Sequence, residues 1–441
     1  MTQRPKSAAV VERNARFVPG GVLSGARMVE PVITFCRGRG AHLWDVDGNR
    51  YIDFHAAFAP HVLGHNDPYV NEAVKKVLDD GRSLYGSGTS ELEGRLAELI
   101  CTHVPAAEKI EFLNTGSEAV IAALRLARAV TGREHVIAMQ GGFNGSHNEL
   151  ACNVLTPLER LGARVSPGEY PYVRLGPGLP AAQEQLVHVV NFNDLDSVRY
   201  VCEREEIAAL ITEPVLQNIG IVKPEPGYLE GLRALADEFG FILVFDEVKT
   251  GFRHALGGFS GICGVKPDLV VFAKAVANGF PLAVLGGKAE FMDRYADPDT
   301  SRRPLVGGTY SGHPVAMAAG IATIERLREG DGALYAQMDG LGAMAQAGIE
   351  EVLHTTGTTG VVSRLGSAFC IYLMDHAPRD YHDLAAHHDF GRDVAMRHRM
   401  IDAGVYFYPV AIKQCSISAA HVPGDIEAMV SALTGALKEK G

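Results

Sequence analysis

Two stretches of this chain carry ionisable residues to the ends of apolar runs. In FILVFDEVKTGF, residues 241–252, a hydrophobic segment leads into Asp246 and Glu247. In PDLVVFAKAVANGFPLAVLGG, residues 267–287, a second one ends at Lys274. A lysine that directly follows a buried strand has its ammonium form disfavoured by desolvation, which lowers its pKa and makes the amine a nucleophile. Adjacent carboxylates at a strand end admit two readings: a metal site, or an acid paired with the cationic ring nitrogen of a cofactor. A metal–nucleotide site of that kind needs a GxxxxGK[ST] loop, and the chain has none. Asp246 and Lys274 stand 28 residues apart, about one βα unit, so neighbouring strands would present them together.

Two further pieces could bind an anion. EFLNTGSEAVIAALRLAR, residues 111–128, reads as a strand running through Asn114, Thr115, Gly116 and Ser117 into a helix. Free N–H groups and hydroxyls at a helix N-terminus form a phosphate cradle. The same residues, with Glu118 in the first turn, also suit an ordinary N-cap. In GGTYSGHPVAMAAG, residues 307–320, Gly308 and Thr309 again offer N–H and hydroxyl donors.

The elements that must position these groups follow from periodicity. Apolar, β-branched runs at 135–139, 208–211, 242–245 and 269–272 alternate with helical patterns such as 118–130 and 229–239. Continuous apolar strands between amphipathic helices indicate an α/β lobe with a mostly parallel sheet covered on both faces. That lobe is expected over residues 61–310. Residues 1–60, with a hairpin and DG turn within 40–53, form an N-terminal segment joining a smaller α+β lobe at 311–441. The latter opens with a small-residue helix at 314–328 and continues strand-like over 354–374 and helical over 389–403.

Composition sets the outer bounds. Hydrophobic residues are 47% and charged residues 21%, as in soluble globular proteins. A net charge of −11 argues against nucleic acid or an anionic membrane as partner. The seven cysteines are scattered without a CxxC pair, so neither a disulfide framework nor a metal site is expected. No signal-peptide pattern or membrane-length apolar run is present, and a cytoplasmic protein is expected.

Taken together, NTGSEA, EPVLQNIG, DEVKTGFR, PDLVVFAK and GTYSGHP, in this order, resemble the class III (omega) aminotransferases of pyridoxal phosphate (PLP) fold type I, and most of all the glutamate-1-semialdehyde aminomutase branch. The likeness spans nearly the whole chain. It implies pyridoxal 5′-phosphate as cofactor, joined to Lys274 as a Schiff base, with Asp246 keeping the pyridine nitrogen protonated so that the ring is an electron sink. It further implies Val248 and Phe143 on the two ring faces, and Thr115, Gly116 and Ser117 at the phosphate. Asn144, Glu213 and Asn218 would lie near the cofactor. Thr309 would reach the phosphate of the neighbouring subunit, implying a homodimer with shared sites.

For substrate, PGGVLSGAR (residues 19–27) lines up on the aminomutase pattern PGGVNSPVR, which gives Arg27 to the substrate carboxylate. Phe58 falls where that branch has a tryptophan over the substrate. Lys413 stands about where the aminomutases carry a glutamate, and could receive a second carboxylate.

Two departures bear on the reaction. Residues 152–174 lack the Gly/Ala/Ser-rich gating loop of the aminomutases, AGSGVATxGxPxSPGVP, and the usual YHGH stretch is Phe143-Asn144-Gly145-Ser146 here. The expected activity is therefore an aminotransferase passing an amino group from an amino acid (β- or ω-amino acids included) to an oxo acid such as 2-oxoglutarate. The alternative is an aminomutase, racemase or epimerase with the same cofactor. A catalytically silent relative would commonly have lost Lys274 or Asp246, and both are present.

Overall fold

A computed structural model describes residues 4–438. The chain divides into two compact units: residues 68–335 with 378–387, and residues 4–67 with 336–377 and 388–438.

The larger unit is built on a seven-stranded sheet. In chain order its strands are β1 (Lys109–Leu113), β2 (His135–Met139), β3 (Val187–Val190), β4 (Ile207–Thr212), β5 (Ile242–Asp246), β6 (Leu269–Phe272) and β7 (Ala283–Gly287). They lie in the order β1-β7-β6-β5-β4-β2-β3. The run from β6 to β3 is parallel throughout, and only β7 is antiparallel, to both β6 and β1. Every residue of β4, β5 and β6 is buried, which is why these strands read as unbroken apolar runs instead of alternating ones. Each fully buried Val, Leu, Ile or Phe contributes about 1.5–3 kcal/mol, so this strip anchors everything hung from its ends.

Helices α1 (Gly116–Thr131), α2 (Tyr228–Phe239) and α3 (Pro314–Arg328) belong to this unit. That corrects the domain boundary read from sequence: residues 311–335 belong to the larger unit. Helix α3 buries Ala316, Met317, Ala318, Ala319, Gly320 and Ala322. A Cβ on Gly320 would come within 2.9 Å of Leu96 Cδ2, so this face is shaped for close packing. Residues 61–67, expected in the large lobe, fall in the smaller unit, and residues 378–387 return to the larger one.

In the smaller unit, Phe35–Arg39, His42–Asp45 and Arg50–Asp53 form an antiparallel meander. Its last strand pairs in parallel with Val405–Tyr406, joining the two ends of the chain. The stretch 354–374 holds the end of the helix Ala333–Thr355 and the hairpin Val361–Leu365 with Ala368–Tyr372. Phe54, Phe369, Phe407, Met396 and Ile417 meet in one core. A buried ion pair, Arg397 Nε to Asp393 Oδ1 at 2.7 Å, crosses its margin. Among the described residues no helix is long and apolar enough to cross a membrane.

Candidate active site

The carboxyl ends of β5 and β6 bring the predicted acid and amine to one edge, where an open parallel sheet binds ligands. Asp246 is the last residue of β5 and pairs in register with Val271 of β6, three residues before Lys274. Asp246 is buried, and desolvation with the nearby Glu213 charge pushes its pKa up to about 6. Burial also pulls the Lys274 amine below its ordinary pKa, with Asp246 and Glu213 opposing the shift. Lys274 itself has φ of +51°, a left-handed conformation that costs a non-glycine residue about 1–2 kcal/mol. Such strain is retained where the fold fixes a side chain for use.

Asp246 and Glu247 do not converge on a common ion. Glu247 is turned to accept hydrogen bonds from the Ser260 N–H at 2.9 Å and the Thr250 hydroxyl at 3.0 Å. Asp246 accepts instead from the Asn144 side-chain amide at 2.8 Å and the Val248 N–H at 3.0 Å. Their adjacency in sequence places them on opposite sides of the strand end.

At the start of α1, Thr115 is the N-cap, its hydroxyl accepting from the Glu118 N–H at 3.2 Å. Glu118 reaches back to accept from the N–H groups of Asn114 and Thr115, at 2.8 and 3.1 Å. This capping box leaves the N–H groups of Gly116 and Ser117 without a partner among the described residues, at the positive end of the helix. The N-cap reading of this motif holds, and the donors that the cradle reading needs are left open beside it. The cap is made by Thr115 and Glu118, and the open donors are on the next two residues. Thr115 accordingly serves as the cap that presents them.

The segment after β2 is bonded to both acids, through Phe143 to Glu213 and through Asn144 to Asp246. Phe143 is 36% exposed, while its N–H donates to Glu213 Oε1 at 3.1 Å. The other Glu213 oxygen accepts from the Gln217 N–H at 3.0 Å. Glu213, assigned to the cofactor by resemblance, thus has its carboxylate engaged in fixing the Phe143 backbone. Asn218 follows in the same turn and is half-buried. Thr309 is exposed on this chain.

The three substrate candidates lie in the smaller unit. Arg27 is exposed at the end of the turn Gly25–Arg27. Phe58 belongs to a run of four left-handed residues, Ala56 to Ala59, and Asp53 Oδ1 accepts from the N–H groups of Ala56 and of His55 just before it. Its ring packs edge-on against His55 and Tyr408, with centroids 4.3 and 4.9 Å away. The Tyr408 hydroxyl donates to the carbonyl of Ala26, beside Arg27. The structure so links Phe58 and the Arg27 turn through Tyr408, a residue that no motif singled out. Lys413 is half-buried, and its carbonyl accepts from Arg397 at 2.9 Å.

A family model for the class III aminotransferases matches residues 24–432. The chain belongs to that family. Glutamate-1-semialdehyde 2,1-aminomutase of Syntrophomonas wolfei is 35% identical over 440 residues, covering 98% of each chain. Among solved structures, an omega-transaminase from Sphaerobacter thermophilus superposes with a TM-score of 0.89 at 31% identity, over 98% of this chain and 97% of that one. A β-phenylalanine aminotransferase from Variovorax paradoxus does so with a TM-score of 0.83 at 30% identity, over 98% and 93%.

The cofactor of this class III enzyme family is pyridoxal phosphate, and the residues fit it. Open N–H donors at Gly116 and Ser117 suit a phosphate. The raised pKa of Asp246 is the shift that a cation placed against it would reverse. The exposed Phe143 ring and the desolvated Lys274 complete the requirement for a stacked ring and an attacking amine.

Proposed function

We propose that this chain holds pyridoxal phosphate on Lys274 and relocates the amino group of a carboxylated amino compound. The observation that carries the reading is the pair at the sheet edge: a desolvated amine just past the end of β6 and a buried carboxylate at the end of β5. When bound, the cofactor supplies an electron sink for the carbanion next to the amine. The chain's own part is to hold it and to manage protons. Asp246 would accept from the ring nitrogen, Gly116 and Ser117 would hold the phosphate, and Phe143 and Val248 would pack on the ring. Asn144 and Asn218 border it, and Thr115 and Glu213 hold the surrounding backbone. The Lys274 amine, lowered in pKa, is a base able to carry a proton between substrate carbon and cofactor. Arg27 is assigned to the substrate carboxylate, Phe58 to a pocket wall, and Lys413 to a second carboxylate.

For the destination of the amino group, the names of the relatives give more support to an aminomutase, which returns it to the same molecule. The second reading, transfer to an oxo acid, is favoured by the segment 152–174. It is tied down by Arg164 to the buried Asp380 at 3.0 Å, by the Asn153 carbonyl to the Gln140 amide at 3.0 Å, and by the Tyr172 hydroxyl to the Asn148 carbonyl at 2.9 Å. A segment so held is poorly suited to gate an intermediate. Spectra of the PLP-loaded protein with single amino donors separate the two. Bleaching of the visible band, reversed by 2-oxoglutarate, supports transfer between molecules. Isomerisation of the donor with no oxo acid consumed supports the aminomutase. Borohydride reduction followed by digestion should place the cofactor on Lys274, and a label on any other lysine would sink the whole reading.

A further inference from the structure

The segment after β2 contributes a residue to the cofactor's acid as well as to its ring. Asn144 is buried, and its Nδ2 donates to Asp246 Oδ2 at 2.8 Å while the Val248 N–H donates to Oδ1 at 3.0 Å. Each carboxylate oxygen thus has one neutral donor, and neither donor has a proton to gain or lose near neutrality. The Asn144 backbone is fixed in turn, its carbonyl lying 3.3 Å from His147 Nε2 and the following Gly145 adopting φ of +108°.

We propose that Asn144 is a positioning residue that fixes both the aim and the charge of Asp246, making the protonation of the cofactor ring insensitive to pH across the neutral range. The inference rests on the reading that Asp246 pairs with the pyridine nitrogen. With the ring cation against it the carboxylate stays ionised across the neutral range, and its amide donor adds no titration of its own. A histidine at 144, as in the related YHGH stretch, would set an ionisable ring against the same oxygen. The other charged and titratable groups facing this pair are Lys274, which favours the Asp246 anion, Glu213, which opposes it, and His147 behind Asn144. Burial and the His147 contact distinguish the amide from a surface residue that could turn away.

The test uses the PLP-loaded protein and its variants Asn144→Ala, Asn144→Ser and Asn144→His. The wild-type visible band should follow a single titration, that of the imine joining the cofactor to Lys274, with no second inflection between about pH 6 and pH 9, since no group directly bonded to Asp246 titrates there. Asn144→Ala, or Asn144→Ser if the former does not fold, should weaken PLP binding about tenfold through loss of one charge-assisted hydrogen bond. Asn144→His should keep the binding but add an inflection to the spectrum near the imidazole pKa, at about 6.5. Unchanged PLP affinity in the Ala and Ser variants, with a His variant showing the same single titration as the wild type, would overturn the assignment. Absence of any visible band in the wild-type protein with PLP would overturn the underlying reading together with it.

Discussion

Gly116 and Val248 approach so closely that a Cβ on the glycine would stand 2.9 Å from Val248 Cγ2 and 3.3 Å from Cγ1. The first residue of α1 is thereby pressed against the turn that follows β5, tying the anion end of the site to the acid end. Val248 is β-branched and has little rotamer freedom with which to yield. Gly116→Ala should therefore shift the helix start or the turn, at about 1–3 kcal/mol of overpacking. The expected result is a lower melting temperature together with weaker PLP binding. A variant matching the wild type in both would show that the two elements are free to separate.

The raised pKa of Asp246 makes the ligand-free protein pH-sensitive in a definite direction. The folded state binds this proton more tightly than the unfolded chain, whose aspartate titrates near the ordinary value of about 4. Stability from this group is full below that value and is lost as pH rises through about 6. Over that window the loss is on the order of 2–3 kcal/mol. Asp246→Asn should flatten this part of the pH–stability curve of the ligand-free protein relative to wild type. Parallel curves in denaturant titrations at pH 4, 5, 6 and 7 would refute the shift.

Arg27 as the carboxylate partner predicts a selective defect. Arg27→Ala should raise KM for carboxylated substrates about 10- to 100-fold, the worth of a charge-assisted hydrogen bond pair, and leave amines lacking a carboxylate unaffected. Equal losses for both classes, measured by initial rates, would show that Arg27 supports the fold of its turn instead.

Glu213 is predicted to act through Phe143. Replacing it by Ala leaves two N–H groups without acceptors, that of Gln217 buried and that of Phe143 partly so, at about 1–3 kcal/mol for the buried one and less for the other. Glu213→Ala should lower the melting temperature of the ligand-free protein, before any cofactor effect. An unchanged melting temperature would return Glu213 to direct contact with the cofactor.

The homodimer with shared sites is tested by complementation. Lys274→Ala and Thr309→Trp should each be inactive alone. When refolded together they should regain activity, because some sites combine an intact Lys274 with Thr309 of the partner subunit. No recovery from mixed chains, despite mixed dimers on a column, would place Thr309 outside the neighbouring site.

By itself, the sequence determined the parts that depend on local pattern. The apolar runs 136–139 and 269–272 fall in β2 and β6, because strands covered on both faces have no polar side to display. The same patterns put Asp246 and Lys274 at strand ends, and the spacing of Thr115 from Glu118 is that of a capping box. Tertiary structure alone decided what each side chain faces. Nothing local distinguishes Asp246 from Glu247, yet one turns to Asn144 and the other to the N–H groups near Ser260. The pairing of Arg50–Asp53 with Val405–Tyr406 joins residues some 350 positions apart, and the allotment of Pro314–Arg328 to the larger unit depends on which surface its small residues meet. The left-handed run at Phe58 is invisible in a sequence without glycine there; it exists because Asp53 and the surrounding core compel it. Periodicity records burial along one element, whereas direction and partner are set by elements distant in the chain.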